Sequence, residues 1–332
     1  MSIREETQRI EEKILSARAC LSAATRGRAQ PEDECPLRTP FQRDRDRILH
    51  SKAFRRLKQK TQVFISPEGD HYRTRLTHTL EVTQVARTIA RALRLNEDLT
   101  EAIGLGHDVG HTPFGHAGER ALNALNPDGF RHYEQSVRVN QVLERDMRGL
   151  NLTAEVVNGI DRHTNGPQPF TLEGQAVRYA DRIAYMNHDI EDAITAGILL
   201  ESDLPADVRR VLGGSKSERI TTLVTSLIEN SGEVLAMEAT VAQQYEALHK
   251  FMYNTVYIAS EAKKEEYKVD KLLAELYNHY LKDLSNLPAF YQRIAELEGD
   301  HRAVTDYISG MSDEFATAQF EQIFVPKRWQ VV

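Results

Sequence analysis

Apolar residues recur at helical spacing along much of this 332-residue chain, and this period constrains its fold more than any other feature. In the stretch HTLEVTQVARTIARALRL, the residues His78, Val82, Val85, Ile89 and Leu93 follow one another at steps of 4, 3, 4 and 4. Such steps place the five side chains on one face of an α-helix. The sequence therefore predicts a helix whose buried face begins with a histidine.

The next stretch, NEDLTEAIGLGHD, repeats this combination of a helical period and a histidine. Leu99, Ile103 and His107 are separated by steps of 4, and Asn96 stands where a side chain can cap the helix N-terminus. We therefore expect His107 to point inward, as His78 does.

A third helix is predicted from LEGQAVRYADRIAYMNHDIEDAI. It places Val177, Asp181 and Ala184 on one stripe of small residues, and Tyr185 and Asp189 follow Asp181 at four and eight positions. Together the three stretches predict an all-α fold in which ionisable side chains face the interior.

Glycine- and serine-containing breaks between the helical stretches indicate how the chain is divided. We expect an N-terminal helical segment over 1–35, a main helical core over 36–210 and a C-terminal helical region over 211–332 that packs on the core, because LPADVRRVLGGSKSE carries a Gly-Gly-Ser break. The stretch TQVFISPEGDHYRT, residues 61–74, predicts a short β-hairpin-like excursion, since β-branched and aromatic residues flank a turn signal.

Composition narrows the class of protein. The hydrophobic fraction of 41% and the charged fraction of 27% are those of an ordinary globular protein and argue against disorder. A net charge of -7 argues against a nucleic-acid binder whose whole surface is basic. Cys20 and Cys35 have no CxxC spacing, which predicts reduced thiols, and no apolar run approaches the length of roughly 20 residues that spans a bilayer. We expect a cytoplasmic protein that does not bind membranes.

Histidines are concentrated in one part of the chain. Nine of the 12 fall between His50 and His188, and three of these lie within GLGHDVGHTPFGHAGE, residues 104–119. Clustered titratable side chains are typical of functional sites. The sequence therefore predicts one histidine-rich site.

A divalent metal ion in a hydrolase needs a few imidazole and carboxylate ligands, with positions left open for water and substrate. His78, His107, Asp108 and Asp181 supply two of each from three predicted helices. Two carboxylates roughly neutralise the ion, and the glycine and proline of VGHTPFG release the backbone so that the adjacent pair can turn toward it. The alternative is that each is a satisfied core group, but four on converging faces favour a metal site.

This arrangement resembles the HD-domain superfamily of metal-dependent phosphohydrolases. More closely, the motifs RDRDRILHSKAFRRLKQKTQVF, RTRLTHTLEV, GLGHDVGHTPFGHAGE, FRHYEQSVRV, RHTNG and YADRIAYMNHDIEDAI resemble the bacterial deoxyguanosinetriphosphate triphosphohydrolase-like proteins, with a weaker likeness at LHKFMYNTVY. The resemblance implies an HD-domain helical core and an enzyme that cleaves a dNTP to a deoxynucleoside and inorganic triphosphate. It also implies that His78, His107, Asp108 and Asp181 bind a divalent ion, such as manganese, magnesium or another transition metal.

The resemblance implies catalytic roles near the α-phosphate for His111, Glu119 and His132. Attack at phosphorus needs proton transfer and charge stabilisation, and a carboxylate can orient and charge an imidazole. FRHYEQS departs from the family, whose members more often have Asn after the histidine, and this weakens the assignment of His132. The alternative is that these side chains cap or pack helix ends.

The resemblance further implies a set of substrate contacts. Cationic and polar side chains suit a tetra-anionic triphosphate, a tyrosine ring can exclude a 2'-hydroxyl, and a carboxylate can accept from a 3'-hydroxyl. The implied contacts are to the phosphates for Arg75, His116 and Arg182, to the sugar edge or base for Gln62, and to the deoxyribose for Tyr185 and Asp189. Without the resemblance, an exposed charge among them would equally be a solvated helix face.

A basic segment lies upstream of these motifs. Two interpretations stay open: a solvated helix whose charges pair at i,i+4, or a cationic surface for nucleotide phosphates at an interface or for single-stranded nucleic acid. Its basic residues are Arg43, Arg45, Arg47, Lys52, Arg55, Arg56, Lys58 and Lys60.

Two rival functions share the same scaffold. One is an HD phosphodiesterase or nucleotidase, which the motifs RTRLTH and HTPFGHAGE disfavour; the other is a non-enzymatic nucleotide or nucleic-acid binder, which an intact ligand set disfavours. The expected partners are a dNTP substrate and further copies of the chain in a homo-oligomer, and whether a second, allosteric dNTP binds stays open.

Overall fold

The computed structural model describes residues 1–62, 73–257 and 266–327. These residues form α-helices joined by short loops, and the β-pairing among them is limited to two isolated antiparallel bridges, Arg28 with Thr153 and Thr61 with Thr74. The predicted all-α fold is confirmed. Of the predicted hairpin-like excursion, only the two ends joined by the second bridge are described, and residues 63–72 lie outside the described residues.

Short helices alternate with long ones in the first part of the chain. In chain order they are α1 (Ile3–Ile14), α2 (Pro40–Leu49), α3 (Lys52–Arg56), α4 (Arg75–Ala92), α5 (Glu97–Gly106), α6 (Gly115–Leu125), α7 (His132–Arg138), α8 (Glu144–Met147) and α9 (Ala154–Asp161). A π-helical turn (Val139–Leu143) follows α7.

The later helices begin with the longest described one. They are α10 (Leu172–Thr195), α11 (Ala206–Leu212), α12 (Lys216–Asn230), α13 (Ala239–Met252), α14 (Glu266–Lys282), α15 (Ala289–Glu298), α16 (Asp300–Ser309) and α17 (Asp313–Phe324). Nowhere in the described ranges does a helix have the length and apolar character needed to cross a membrane.

The helices that carry the predicted site begin at capping side chains. Thr74 accepts from the amide of Thr77 at the start of α4, Asn96 accepts from the amide of Leu99 at the start of α5, and Thr171 caps α10. Each cap satisfies an amide that the helix leaves without a partner, which typically contributes about 1 kcal/mol. The predicted cap at Asn96 is confirmed.

Helices α4, α5 and α10 pack against one another in a first hydrophobic cluster. Val82 and Ile89 of α4, Ile103 of α5 and Ile183 of α10 are all fully buried there. Burial of each such side chain stabilises the fold by about 1.5–3 kcal/mol. The periodicity thus identified the buried face of α4 correctly, and the packing of that face brings the three site-bearing helices together.

Two glycines allow the close contacts on which the site depends. A Cβ at Gly104 would lie 2.6 Å from Oγ1 of Thr83, so α5 can approach α4 this closely only with glycine there. A Cβ at Gly110 would lie 2.1 Å from the backbone nitrogen of Ser136, so the loop after α5 can pack this closely against α7 only with glycine there. Larger residues at either position would separate the elements.

A second hydrophobic cluster joins α6 to the C-terminal helices. Phe114 and Leu122 are buried there with Leu273, Tyr277 and Ile308. The first cluster meanwhile continues through α11, α12 and α13. The division of the chain into 1–35, 36–210 and 211–332 remains a prediction.

A polar junction connects α17 to the loop between α5 and α6. The Asp313 carboxylate accepts from the backbone amide of Thr61 at 3.0 Å and from that of Phe114 at 2.9 Å. Beside it, the Lys60 ammonium donates to the carbonyl of His111. Lys60 is only 2% exposed. Its inclusion in a predicted cationic surface is therefore wrong, because its side-chain nitrogen lies in the interior against backbone carbonyls, where burial lowers its pKa well below the ordinary value.

Candidate active site

The four predicted metal ligands meet where α4, the end of α5 and α10 converge. Nε2 of His78 lies 3.1 Å from Oδ1 of Asp181, and Nε2 of His107 lies 3.6 Å from Oδ2 of Asp108 and 3.9 Å from Oδ1 of Asp181. Side-chain oxygens and imidazole nitrogens from distant parts of the chain thus face a common point. Two imidazoles and two carboxylates are a donor set suited to a divalent ion.

The hydrogen bonding of His107 fits a metal ligand. Its Nδ1 lies 2.7 Å from the carbonyl oxygen of Gly104 and donates to it, so the lone pair is on Nε2. That Nε2 is buried and has no hydrogen-bond partner. A buried nitrogen left unsatisfied is costly, and a bound cation would supply the missing partner. The residues present therefore fit a divalent ion.

Arg75 is held against this cluster. Its Nη1 donates to Oδ2 of Asp108 at 2.5 Å, and its other nitrogens donate to the carbonyls of Thr61 and Gln62 at 3.3 and 3.2 Å. Burial raises the pKa of Asp108, but attraction to His107 and to the Arg75 guanidinium outweighs it and holds the pKa well below its ordinary value. Asp108 is therefore a carboxylate ready to bind a cation.

His111, Glu119 and His132 form a second group next to the metal cluster. Nδ1 of His132 lies 2.9 and 3.0 Å from the two Glu119 oxygens, and its ring stacks on His111 with centroids 4.5 Å apart. Burial lowers the pKa of His132, but the hydrogen bond that it donates to Glu119 and the negative charge of Glu119 raise the pKa by more than burial lowers it. Burial, with repulsion from Arg75 and His132, lowers the pKa of His111 well below its ordinary value. The pKa values of these two neighbouring imidazoles are thus shifted in opposite directions.

His163 belongs to this group, although the sequence analysis gave it no role. It follows the C-terminal end of α9, its Nδ1 lies 2.7 Å from the carbonyl of Ile160, and its Nε2 lies 3.4 Å from Nε2 of His132. Burial and repulsion from His107 and His132 lower its pKa to about 4. The motif RHTNG contained this residue and was the available signal.

These groups line a cavity of about 350 Å³. The predicted site residues that line it are Gln62, Arg75, His78, Asp108, His111, His116, His132, Asp181, Arg182 and Tyr185. Three predicted residues do not. His107 and Glu119 lie behind the wall, in contact with residues that form it. Asp189 is fully buried, and its predicted contact with a deoxyribose remains a prediction.

The mouth of the cavity differs in part from the prediction. Arg182 donates to the side-chain oxygen of Asn165 at 2.6 Å, and Tyr245 donates to the backbone oxygen of Arg182 at 3.0 Å. Glu246 and His249, also from α13, line the cavity. The sequence analysis missed Asn165 and these α13 residues. The likeness at LHKFMYNTVY, which contains His249, was the one available signal for α13.

Some arginines of the basic segment form ion pairs in the structure. Arg45 pairs with Asp98 at 2.8 Å and Arg47 with Glu32 at 2.7 Å, partners on other parts of the chain rather than at i,i+4. Paired arginines of this kind stabilise the fold locally. Binding of nucleotide or nucleic acid by this segment remains a prediction.

Comparison with known proteins agrees with this geometry. The HD domain family matches residues 75–186, which contain the four predicted metal ligands, and the phosphohydrolase-associated domain family matches residues 235–322. A crystal structure of a phosphohydrolase from Bacteroides thetaiotaomicron shares the fold, with a TM-score of 0.53, 16% identity and coverage of 84% of this chain and 69% of that one.

Whole-chain relatives are much more similar. The chain is 54% identical to a deoxyguanosinetriphosphate triphosphohydrolase-like protein of Caldanaerobacter subterraneus subsp. tengcongensis over 99% of this chain and 98% of the relative. It is 48% identical to one of Clostridium tetani over 98% of this chain and 97% of the relative. The resemblance inferred from the motifs is confirmed. The protein belongs to the deoxyguanosinetriphosphate triphosphohydrolase-like family of HD-domain phosphohydrolases.

Proposed function

We propose that this protein is a metal-dependent dNTP triphosphohydrolase that converts a dNTP and water to a deoxynucleoside and inorganic triphosphate. The bond between the α-phosphorus and the 5'-oxygen breaks, a water oxygen bonds to phosphorus, and a proton passes to the 5'-oxygen. The observation that carries the proposal is one cavity in which the His/Asp cluster lies beside two stacked imidazoles whose pKa values are shifted in opposite directions.

His78, His107, Asp108 and Asp181 would hold the divalent ion. When bound, the ion supplies Lewis-acid chemistry, which lowers the pKa of a water molecule and polarises a phosphoryl oxygen. The buried, unpartnered Nε2 of His107 supports its assignment as a ligand.

The remaining groups act on protons and charge. His111, kept neutral by burial and nearby cations, has a buried Nδ1 without a hydrogen-bond partner and is suited to accept a proton. His132, whose pKa is raised by its hydrogen bond to Glu119, is suited to stabilise negative charge on the α-phosphoryl group. Arg75 and Arg182 place two guanidinium groups along the same cavity for the phosphates.

Product identity tests this proposal directly. Purified protein would be incubated with manganese or magnesium and each of the four dNTPs and four NTPs, and the phosphate products separated by anion exchange. Inorganic triphosphate and free deoxynucleoside are the expected products. Diphosphate or monophosphate would instead indicate a phosphodiesterase or nucleotidase, and binding without turnover would indicate a nucleotide sensor. The Asp181→Asn variant is the matched control, because it removes one ligand charge with little change in shape.

Assembly and regulation belong to the same proposal. We expect a homo-oligomer, and a second dNTP that changes activity is the open alternative to a single nucleotide site. Sedimentation of the protein with and without a non-hydrolysable dNTP measures the oligomeric state. Initial rates at two fixed substrate concentrations, with a second nucleotide varied, measure any effect of that nucleotide on activity.

A further inference from the structure

Helix α1 carries its apolar residues on the face that points away from the rest of the described chain. Ile3, Ile10 and Ile14 are 60%, 49% and 57% exposed, and neither hydrophobic cluster of the described residues contains any of them. With Thr7 they follow one another at steps of 4, 3 and 4, which form one stripe along an α-helix. A contiguous apolar stripe on a surface marks a place where a partner binds.

The opposite face holds α1 to its own molecule through polar contacts. The Glu11 carboxylate is buried and accepts from the backbone amide of Ser22 at 2.8 Å, and Arg4 forms an ion pair with Glu34 at 2.6 Å. A surface helix of a globular protein normally does the reverse, with its apolar stripe on the core and its charges in water. The molecule therefore holds α1 in the orientation that exposes the isoleucines.

The stripe has the spacing of a short coiled-coil seam. Steps of 4, 3 and 4 are those between the d and a positions of a heptad, and they place Glu6 and Lys13 at the two g positions beside the seam. Both side chains are exposed, and neither has an ion-pair partner in the part of the chain that the structure describes. The flank of the stripe thus carries one free charge of each sign.

These two charges are complementary when two α1 helices pack antiparallel. In an antiparallel pair each g residue faces a g residue of the other helix, so Glu6 meets Lys13 of a second copy, and the two-fold axis repeats the pair. In a parallel pair Glu6 would instead face Glu11 of the second copy, and like charges repel. The charge pattern therefore favours a second copy of this chain in the antiparallel orientation.

The apolar surface extends beyond the helix. Leu37 is also exposed and follows Pro36, whose carbonyl accepts from the amide of Arg4 at 3.1 Å. A wider surface suits a protein partner, because stable protein interfaces bury about 1,200 Å² or more in total. The charge of α1 argues against a membrane, since residues 3–14 contain four glutamates against three basic residues and anionic lipid attracts basic helices.

We propose that α1 is a contact between two copies of this chain, whose α1 helices pack antiparallel about a two-fold axis. Ile3 then lies against Ile14 of the second copy and Thr7 against Ile10, so all of the exposed isoleucines of α1 are covered. The inference rests on the homo-oligomer that belongs to the proposed function, and it assigns the surface through which two subunits associate.

Sedimentation equilibrium of the full chain without nucleotide tests the surface. We expect Ile10→Glu to raise the dissociation constant by about a hundredfold or more, because it places an unpaired carboxylate from each copy near the centre of the contact. The matched control is Leu297→Glu, which changes an exposed leucine on α15 in the same way and should leave association unchanged. Circular dichroism should show both variants folded, since both positions are exposed.

Charge reversal tests the flanking pairs without changing the apolar stripe. Glu6→Lys and Lys13→Glu should each weaken association by roughly 2- to 30-fold, the range for two exposed ion pairs. The variant with both substitutions should associate as the wild type does, because the pairs form again with their signs exchanged. Failure of the double variant to recover would overturn the antiparallel arrangement.

Cysteine cross-linking measures the orientation. In a chain with Cys20→Ser and Cys35→Ser, the variants Thr7→Cys and Ile10→Cys are oxidised separately and as an equal mixture. An antiparallel pair links preferentially in the mixture, where a position 7 faces a position 10, whereas a parallel pair links each variant with itself. Links that form as well in one variant alone would overturn the inference.

The remaining outcomes are equally decisive. A monomeric wild type would overturn the inference, as would unchanged association of Ile10→Glu. If Ile10→Glu dissociates but the cysteine mixture does not link, α1 packs on another part of the second copy and the inference also fails. None of these measurements uses a dNTP. If the wild type hydrolyses no dNTP, the proposed function fails while sedimentation and cross-linking still decide the contact.

Discussion

The rings of His111 and His132 stack with their centroids 4.5 Å apart, although their pKa values are shifted in opposite directions. Repulsion from the charged ring is one of the effects that, after burial, lower the pKa of His111. The stacked pair therefore combines one imidazole that loses its proton more readily than usual with one that holds it more tightly.

We expect His111→Ala to lower kcat by roughly a hundredfold or more, the usual scale for loss of a positioned acid or base. The fold and the bound metal should be unchanged, because no predicted metal ligand loses a contact with His111 within hydrogen-bonding distance. Circular dichroism, metal analysis and steady-state rates measure the three quantities. A decrease in activity that parallels metal loss would make His111 a ligand.

Replacing Arg75 by Met should destabilise the metal-free protein. The substitution leaves the buried Asp108 carboxylate without its guanidinium partner, and breaking a buried ion pair typically costs about 3–5 kcal/mol. Manganese should restore part of the loss, because the ion provides the missing positive charge and binds only the folded state.

The measurement is urea unfolding of wild type and Arg75→Met in chelator and in excess manganese. Arg75→Lys is the companion variant, since it keeps the charge but cannot reach Asp108 and two carbonyls at once. An equal loss of stability with and without manganese would show that Arg75 stabilises the fold only through its hydrogen bonds to the carbonyls of Thr61 and Gln62.

Tyr185 is predicted to select the sugar. It lines the cavity one helical turn after Asp181, where a ring below the deoxyribose leaves no room for a 2'-hydroxyl. We expect wild type to prefer dGTP over GTP by about 10- to 100-fold in kcat/KM, and Tyr185→Ala to reduce this ratio. Tyr185→Phe, which keeps the ring, should retain it. Equal ratios in wild type and the Ala variant would show that Tyr185 packs the helix without selecting the sugar.

Stability should depend on pH through Glu173. Burial raises its carboxyl pKa above the ordinary 4.5, against hydrogen bonds from the amides of Asn96 and Cys20. Its contribution to stability is therefore fully present below the unfolded-state pKa and is lost as pH rises through the folded-state value. We expect Glu173→Gln to unfold at a higher temperature than wild type at about pH 8, with the difference vanishing toward about pH 4.

Glu97 provides the opposite case. A hydrogen bond from Arg91 is the main cause that lowers the pKa of the Glu97 carboxyl below 4.5. The contribution of Glu97 to stability is therefore fully present above the unfolded-state pKa and is lost as the pH falls through the folded-state pKa. Glu97→Gln should therefore unfold at a lower temperature than wild type at about pH 8, and the difference should shrink in acid. A change of unfolding temperature in the same direction for Glu173→Gln and Glu97→Gln at about pH 8 would contradict this assignment.

The periodicity of the sequence was enough to predict the helices and the inward direction of His78 and His107, because both follow from local geometry. That these residues meet Asp108 and Asp181 was inferred from ligand chemistry, and the packing of three helices brings the four together. Their role as ligands remains a prediction.

Other parts of the site could not be read from the sequence. Glu246 and His249 reach the cavity through the packing of α13, which the local pattern does not determine. His163 is a different case, because it follows the buried Val156 and Ile160 at helical steps of 4 and 3, and this period was an available signal for its burial. Lysines are seldom buried unless paired. Lys60 is buried because its side-chain nitrogen donates to the carbonyls of His111 and Ser309, which are distant in the sequence and therefore could not be predicted from it.

The Asp313 junction also determines the order in which the molecule is completed. Its carboxylate reaches back 252 residues to Thr61 and 199 residues to Phe114. Contacts over such separations form late, since the entropy of closing the intervening chain must first be overcome. During synthesis, α17 emerges from the ribosome after every predicted site residue. The loop that carries His111 therefore acquires these backbone partners only after α17 has been synthesised, and until then the site lacks part of its support.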